Sequence, residues 1–305
     1  MKILITGANG FIGTHLCSEL LHRNIGFRAT ARNANENSYT DFVNCDLETT
    51  KSLDQLMDGC DIVIHLAGRA HMTSDNSREK YRVANELVTQ RLANAAAQNG
   101  ITRFVYLSSI KVNGESSNPG LPIRQSDTPH PLDNYGRSKL AAELALQEIC
   151  HDNSMEYVII RPTLVYGQGV KANFSALISA VNRGIPLPIA TVKNARSMIG
   201  INNLVDLIIA TCTNQKAANQ TFLASDGIDT STPALVQLIA QSLNRPSRIF
   251  PFPVFVLRLL AAAVGKSSFI DKLTGSLSVD ISHTTNTLNW KPPFSTESEV
   301  AKAVQ

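Results

Sequence analysis

Residues 6 to 13 read Thr-Gly-Ala-Asn-Gly-Phe-Ile-Gly and directly follow the apolar run Ile3-Leu4-Ile5. The residues after them have the apolar spacing of a helix, so the glycines stand where a strand turns into a helix. In this setting Gly7 permits a tight turn, Gly10 lets a phosphate approach the backbone, and Gly13 allows close helix–strand packing. The free N–H groups of such a helix attract anions. The stretch predicts a dinucleotide site formed by Gly7, Gly10, Phe11, Ile12 and Gly13.

Strand-like and helix-like segments alternate through the first half of the chain. Apolar strands separated by helices are typical of βαβ units, in which helices cover both faces of a parallel sheet. We therefore predict an α/β fold with a Rossmann-like, doubly wound parallel sheet. The predicted strands are residues 3–6, 27–31, 42–45, 62–66, 104–107 and 157–160, and the predicted helices include residues 12–22, 78–98 and 135–149.

The end of the second predicted strand bears on the choice of cofactor. It reads Thr30-Ala31-Arg32-Asn33 and contains no acidic residue. An acid there would accept hydrogen bonds from the adenosine ribose of NAD, whereas Arg32 could pair with the 2′-phosphate of NADP. We expect Arg32 to bind the cofactor and NADP(H) to be favoured over NAD(H). The alternative is that Arg32 is a solvated surface residue.

Tyr135 and Lys139 open a helical stretch and share one helix face, because they are four residues apart. A free tyrosine has a pKa near ~10, and a lysine ammonium beside it favours the phenolate. Tyr135 can then move a proton, and Lys139 can also hold a nicotinamide ribose. Upstream, Ser108 and Ser109 end a buried strand, where parallel sheets form ligand crevices. A hydroxyl there could bind a carbonyl or alkoxide oxygen beside Tyr135.

Composition excludes several classes of function. The chain has 305 residues, 43% of them hydrophobic, with a net charge of +3. Its Lys and Arg residues are scattered, so no nucleic-acid surface is expected. Its five cysteines are dispersed without metal-ligand spacing, so no metal is expected and reduced thiols are predicted. No signal-peptide pattern precedes the first strand, and we expect a cytoplasmic protein.

The pattern changes after about Pro162, where turn-rich pieces alternate with helical ones. This change indicates a smaller lobe that is interleaved with the first. Residues 1–165 are predicted to form the dinucleotide-binding domain, with returns near 197–225, and residues 166–305 mainly a substrate-binding lobe.

The apolar segment 250–264 belongs to this second lobe. It is too short to span a bilayer and contains Arg258, so no stable membrane insertion is expected. We predict a buried helix here, and contact with a membrane surface is the alternative.

Together these motifs resemble the extended short-chain dehydrogenases/reductases, in their sugar-nucleotide epimerase, dehydratase and ketoreductase group. The resemblance covers nearly the whole chain and implies a parallel sheet of about seven strands. Residues 108–114, 173–174 and 186–188 look most like a bacterial subgroup from surface-polysaccharide pathways. The matching segments are residues 6–13, 46–47, 65–68, 85, 107–114, 135–139, 161–162, 165–167 and 280–292.

The resemblance implies a role for each matching position. Ser109 becomes the catalytic hydroxyl beside Tyr135 and Lys139, and it also contacts substrate. The helices at 78–98 and 135–149 pair across a two-fold axis, so a homodimer is expected. The further implied cofactor contacts are Asp46 and Leu47 at the adenine, Leu66, Ala67 and Gly68 at the pyrophosphate and ribose, Asn85 bracing the strand end, and Pro162 at the nicotinamide. The implied contacts to the substrate diphosphate are Asn173 and Arg196.

Three departures from the family pattern limit the reaction. Dehydratases of this group carry an Asp-Glu pair where this chain has Ile110 and Lys111, and apolar Ile cannot transfer a proton, so 4,6-dehydration is not expected. The glycine usual after Asn85 is replaced within residues 86–89, which changes local packing. An Arg-x-Gly-Asp segment that many epimerases use is missing near residues 258–272. Substrate recognition must differ there.

Three functions fit these residues. The first is an NAD(P)-dependent 4-ketoreductase of a UDP-4-keto-6-deoxy-N-acetylhexosamine in polysaccharide biosynthesis, which Arg32 favours. The second is a 4-epimerase of UDP-glucose or UDP-N-acetylglucosamine, which would return the hydride to the other face of carbon 4. The third is a non-catalytic NADP-binding scaffold or sensor. The Ser109, Tyr135 and Lys139 set argues against the third, because a scaffold has no need of a proton shuttle.

Overall fold

The computed structural model of the protein describes residues 1–33, 39–70, 77–170, 173–263, 265 and 267–305. Its main sheet is parallel at every pairing and has seven strands in the order β3-β2-β1-β4-β5-β6-β9. The strands are β1 (Ile3–Thr6), β2 (Phe27–Ala31), β3 (Phe42–Asn44), β4 (Ile62–His65), β5 (Arg103–Leu107), β6 (Glu156–Pro162) and β9 (Gln220–Ala224). This confirms the predicted fold class and all six predicted strands.

Helices cover both faces of this sheet. On one face Ile5 packs with Leu16 of α1 (Phe11–His22) and Ile208 of α7 (Ile201–Thr213). On the other face Leu4 packs with side chains of α4 (Val88–Gln98) and α5 (Asn134–Asn153). Every residue of β1, β4 and β5 is buried. Continuous apolar runs in these strands follow from burial on two faces.

The predicted helix at 78–98 is present but not uniform. It consists of α3 (Arg78–Tyr81), a π-helical turn (Arg82–Leu87) and α4. The turn contains Asn85, which is 1% exposed. Asn85 bonds to both the N–H and the carbonyl of Arg69, and the wider turn brings its side chain to that position.

The second lobe contains a separate pair of parallel strands, β7 (Leu164–Tyr166) and β8 (Met198–Gly200). The segment around residues 197–207 thus forms β8 and α7, while β9 returns to the edge of the main sheet beside β6. The division near residue 165 stays a prediction. The remaining helices are α2 (Asp54–Met57), α6 (Asn173–Asn182), α8 (Thr232–Ser242), α9 (Val254–Ala263), α10 (Ser267–Thr274), α11 (Ser282–Leu288) and α12 (Thr296–Ala303), and short 3-10 turns lie at Ile110–Val112 and Gln215–Ala217.

The prediction of a buried helix across residues 250–264 is wrong in its burial. Helix α9 forms there, but Phe255 is 67% exposed and Leu259 is 66% exposed, while Ala261 is buried. A helix at the edge of a lobe buries only one of its own faces. Apolar composition alone does not show whether another element packs against the second face. Among the described residues, no helix has the length and apolarity needed to cross a membrane.

Candidate active site

The glycine turn between β1 and α1 is closed to any larger side chain. Gly7 has a φ of +71°, and a Cβ placed on it would lie 2.8 Å from the backbone nitrogen of Ala67. A Cβ on Gly13 would lie 2.2 Å from the Gly7 carbonyl oxygen. Gly10 caps α1 with no side chain, so the first turn of the helix carries no side-chain cap. The turn has the form of a phosphate cradle.

A cavity of about 900 Å³ extends from this cradle along the carboxyl ends of β1, β2 and β4. Its size and its position at these strand ends fit an extended dinucleotide. Of the predicted cofactor residues, Gly7, Gly10, Arg32, Asp46, Leu47, Leu66, Ala67 and Gly68 line it. The sequence analysis did not assign its further lining residues Asn9, Arg69 and Lys80.

Arg32 lies immediately after β2 at the edge of the cavity, and it is exposed. The amide of Asn9 donates a hydrogen bond to the Asn33 carbonyl at 2.5 Å. This bond connects the glycine turn to the end of β2. The glycine turn and Arg32, both predicted to bind the cofactor, are therefore neighbours. The Asn9 contact could not be found from sequence, because no local pattern pairs residues so far apart.

The predicted catalytic residues meet at the carboxyl end of β5. The Ser109 hydroxyl is near enough to Tyr135 to lower the pKa of its phenol. The Lys139 ammonium donates to the Leu107 carbonyl at 2.9 Å and lies 4.7 Å from the ring centre of Tyr106. Tyr135 and Lys139 occupy the first turns of α5, as their spacing predicted.

Burial sets the charges of this group. Desolvation raises the pKa of Tyr135 to about 12, and the hydrogen bond from Ser109 opposes part of that rise. Desolvation also lowers the pKa of Lys139 to about 8, against the attraction of Glu143. Tyr135 is therefore protonated at neutral pH and can donate a proton, and a positive charge arriving beside it would lower its pKa towards a working range.

The cavity and the catalytic group are contiguous at Gly68. A Cβ on Gly68 would lie 2.8 Å from the Asn85 side-chain oxygen and 3.5 Å from the Lys139 nitrogen. Asn85 in turn donates to the Ser138 hydroxyl at 2.9 Å. The loop after β4 is thus held between the π-helical turn and α5. Gly68, which lines the cavity, therefore lies next to Lys139.

Residues 3–224 match the NAD dependent epimerase/dehydratase family. The chain belongs to that family. A UDP-glucose 4-epimerase of Vibrio cholerae is 44% identical over 298 residues, which cover 96% of this chain and 91% of that protein. The N-acetyl-alpha-D-glucosaminyl-diphospho-ditrans,octacis-undecaprenol 4-epimerase of Escherichia coli O157:H7 is 28% identical over 264 residues, 84% of this chain and 77% of that protein.

The fold is also shared with solved structures. The structure of MoeE5 in complex with UDP-glucose and NAD superimposes with a TM-score of 0.81 at 24% identity, covering 100% of this chain and 97% of that one. The protein is therefore an enzyme of the epimerase/dehydratase family, with the fold expected for it.

A buried ion pair supports α5, the helix that carries Tyr135 and Lys139. The Arg161 guanidinium donates to both carboxylate oxygens of Glu143, at 3.0 and 2.6 Å. Its third contact is the Asn113 side-chain oxygen at 3.0 Å. Glu143 is 2% exposed and lies one turn after Lys139, so the pair fixes α5 against β6.

His65 lies beneath the catalytic group, and the sequence analysis gave it no role beyond the family motif. Its Nδ1 lies 2.6 Å from the Thr6 hydroxyl, and its Nε2 lies 3.1 Å from the Thr89 hydroxyl. Burial lowers the pKa of His65 to about 3, so the ring is neutral. It links β1, β4 and α4 through both of its nitrogens, which is a structural use of the imidazole.

The structure places three further predicted residues away from these contacts. Pro162 is the last residue of β6, and Asn173 is the exposed first residue of α6. Arg196 is half-buried and donates to the Gly275 carbonyl at 3.2 Å, and burial lowers its pKa. Their contacts with the cofactor and with a substrate diphosphate stay predictions.

Proposed function

We propose that the protein is a 4-epimerase of a UDP-sugar that uses NAD. The observation that carries the proposal is that Ser109, Tyr135 and Lys139 meet at the carboxyl end of β5, next to a glycine cradle and a dinucleotide-sized cavity. The similarity to the UDP-glucose 4-epimerase of Vibrio cholerae supports the choice of reaction.

The chain's residues divide the work at carbon 4. A bound nicotinamide supplies the hydride acceptor and donor for that carbon. Tyr135 accepts the proton of the 4-hydroxyl as the C–H bond at carbon 4 breaks. Tyr135 returns that proton when the alcohol forms again. Ser109 hydrogen-bonds the same oxygen, and the Lys139 ammonium stabilises the phenolate.

The residues that would hold the cofactor are those that line the cavity, with Lys139 and Pro162 added by the family resemblance. The backbone of the Gly7–Gly13 turn would receive the pyrophosphate at the start of α1. Asp46 and Leu47 would meet the adenine, and residues 66–68 would pass beside the pyrophosphate and ribose. Lys139 would bind the nicotinamide ribose, with Pro162 beside the ring.

A second candidate is favoured by Arg32. Arg32 is exposed and lines the cavity, and residues 30–33 at the described end of β2 include no acid. These features suit the 2′-phosphate of NADPH and hence a 4-ketoreductase of a UDP-4-keto-6-deoxy-N-acetylhexosamine. Tyr135 would then only donate its proton, to the oxygen of the reduced ketone.

Mass spectrometry of cofactor released from freshly purified protein distinguishes the two. An epimerase regenerates its cofactor, so retained NAD and interconversion of UDP-glucose with UDP-galactose support the first proposal. An empty site and NADPH oxidation on a 4-keto substrate support the second. In that case Arg32→Ala should weaken NADPH binding by about tenfold or more and leave NADH unchanged, because only NADPH loses a charge-assisted contact. If the protein shows neither activity, both proposals are overturned.

Three further assignments belong with this function as proposals. Asn173 and Arg196 bind the diphosphate of the substrate, a group common to the substrates named for the Vibrio cholerae and Escherichia coli relatives. The protein works in the cytoplasm. It forms a homodimer through the helices at 78–98 and 135–149, and Leu144 of α5 is 57% exposed in the single chain. Sedimentation that gives a monomer at micromolar concentration would contradict the dimer.

A further inference from the structure

Helix α9 presents an apolar face to solvent. Phe255, Leu259 and Leu260, which we call the α9 face, are 67%, 66% and 57% exposed. The opposite side of the helix faces the lobe, where Ala261 is buried and Val254 packs against the second-lobe core. The helix is thus apolar on both sides, and large apolar side chains face solvent where polar ones are normal.

The stretch of chain that contains this face is basic. The sequence contains no Asp or Glu between Asp229 and Asp271. Arg245 and Arg248 are exposed just before the helix. Arg258 lies on the helix itself with its side chain 56% exposed, and its nearest carboxylate, Asp271, is 3.9 Å away and 64% exposed.

We propose that the α9 face docks onto the surface of an anionic phospholipid bilayer. Exposed Phe and Leu side chains beside arginines match a layer that is apolar within and negatively charged at its surface. A second copy of the chain fits less well, since a two-fold contact through this face would bring the same arginines together. The helix has ten residues, which suits it to lie in the headgroup region and is too short for crossing.

Cosedimentation of the full-length protein with vesicles tests this directly. Vesicles that contain phosphatidylglycerol should pull down the protein, and pure phosphatidylcholine vesicles should pull down at least about tenfold less. Added salt should weaken the binding, because it screens the arginines. Phe255→Gln with Leu259→Gln keeps the charge and the helix-forming tendency, and should reduce binding by about tenfold or more.

The matched control is Leu21→Gln on α1, whose side chain is 53% exposed on another surface. It should bind vesicles as the wild type does, and unchanged melting temperatures of all variants would show that each is folded. The proposal is overturned if wild type ignores anionic vesicles, if neutral vesicles bind equally well, or if the control loses as much binding as the double variant. A dimer that the double variant converts to a monomer would also overturn it, since the face would then join two copies.

Discussion

The Lys111 ammonium lies 2.6 Å from the carboxylate of Asp133. That carboxylate caps α5, accepting the Gly136 N–H at 2.6 Å, one residue after Tyr135. Lys111 also reaches Glu115 at 2.9 Å. Lys111 therefore fixes the end of α5 that carries Tyr135, the predicted proton donor.

Lys111→Met should lower kcat by about ten- to a hundredfold with little change in KM. The methionine keeps much of the packing but releases the Asp133 cap, so Tyr135 is held less accurately. The measurement is steady-state kinetics, with Lys216→Met on an exposed turn as the control. An unchanged kcat would mean that the cap holds without the lysine.

Glu143→Gln should reduce the free energy of unfolding by about 3–5 kcal/mol, because it leaves the buried Arg161 guanidinium without its counter-charge. Urea denaturation measures this loss. The matched control is Glu79→Gln, which breaks an exposed ion pair with Arg82 and should cost far less, because solvent screens that pair. Equal losses in the two variants would show that the buried pair contributes no more than a surface one.

The cysteines should be unreactive in the native protein. All five are buried, and desolvation raises the pKa of Cys17, Cys150 and Cys212 to about 12. Since the thiolate is the reactive form, a chromogenic disulfide reagent at neutral pH should detect thiols only as fast as the protein opens. Five thiols should appear in urea. Immediate labelling of one thiol without urea would contradict this.

The low pKa of Lys139 predicts how stability depends on pH. Lys139 titrates at about 8 in the folded protein and near the ordinary value of 10.5 when unfolded. Between these values the unfolded chain binds more protons, so this residue makes the free energy of unfolding rise with pH. The stability of wild type relative to Lys139→Met should therefore increase by about 1–2 kcal/mol from about pH 7.5 to about pH 9.5. A flat difference between the two proteins would place the lysine pKa near its ordinary value.

The parts of the fold that the sequence predicts are those set by residues close together along the chain. The glycine turn is a short pattern, and the Tyr135–Lys139 spacing follows from the helical repeat. The strands of the first half were predictable because their apolar runs are continuous. Of the returns predicted near 197–225, only β9 joins the main sheet, while residues 198–200 pair with β7 instead.

The contacts that escaped prediction join residues distant in sequence. Lys111 and Asp133 are 22 positions apart, and His65 and Thr89 are 24 apart. No periodic pattern pairs such residues, because their meeting depends on how two elements pack. The exposure of the α9 face escaped for the same reason, since it depends on which elements the lobe places beside the helix.

Tyr135→Phe tests the proton donor itself. The phenylalanine keeps the ring, its edge contact with Tyr81 at 5.9 Å between ring centres, and the packing of α5. It removes only the hydroxyl, which carries the proton in the proposed reaction at carbon 4. Removal of a positioned acid typically slows a reaction by ~10²–10⁴-fold. We therefore expect turnover to fall by that factor, while the melting temperature and the cofactor affinity stay near those of wild type.

Three measurements on the purified Phe variant separate a chemical defect from a structural one: turnover, cofactor affinity by titration, and the melting temperature. Ser109→Ala is the informative companion, because it leaves the tyrosine proton in place and removes only a hydrogen bond to the reacting oxygen. Its loss of turnover should be smaller than that of Tyr135→Phe. If the Phe variant is folded, binds cofactor and turns over within a few-fold of wild type, Tyr135 is not the proton donor, and the role must pass to another group at the carboxyl end of β5.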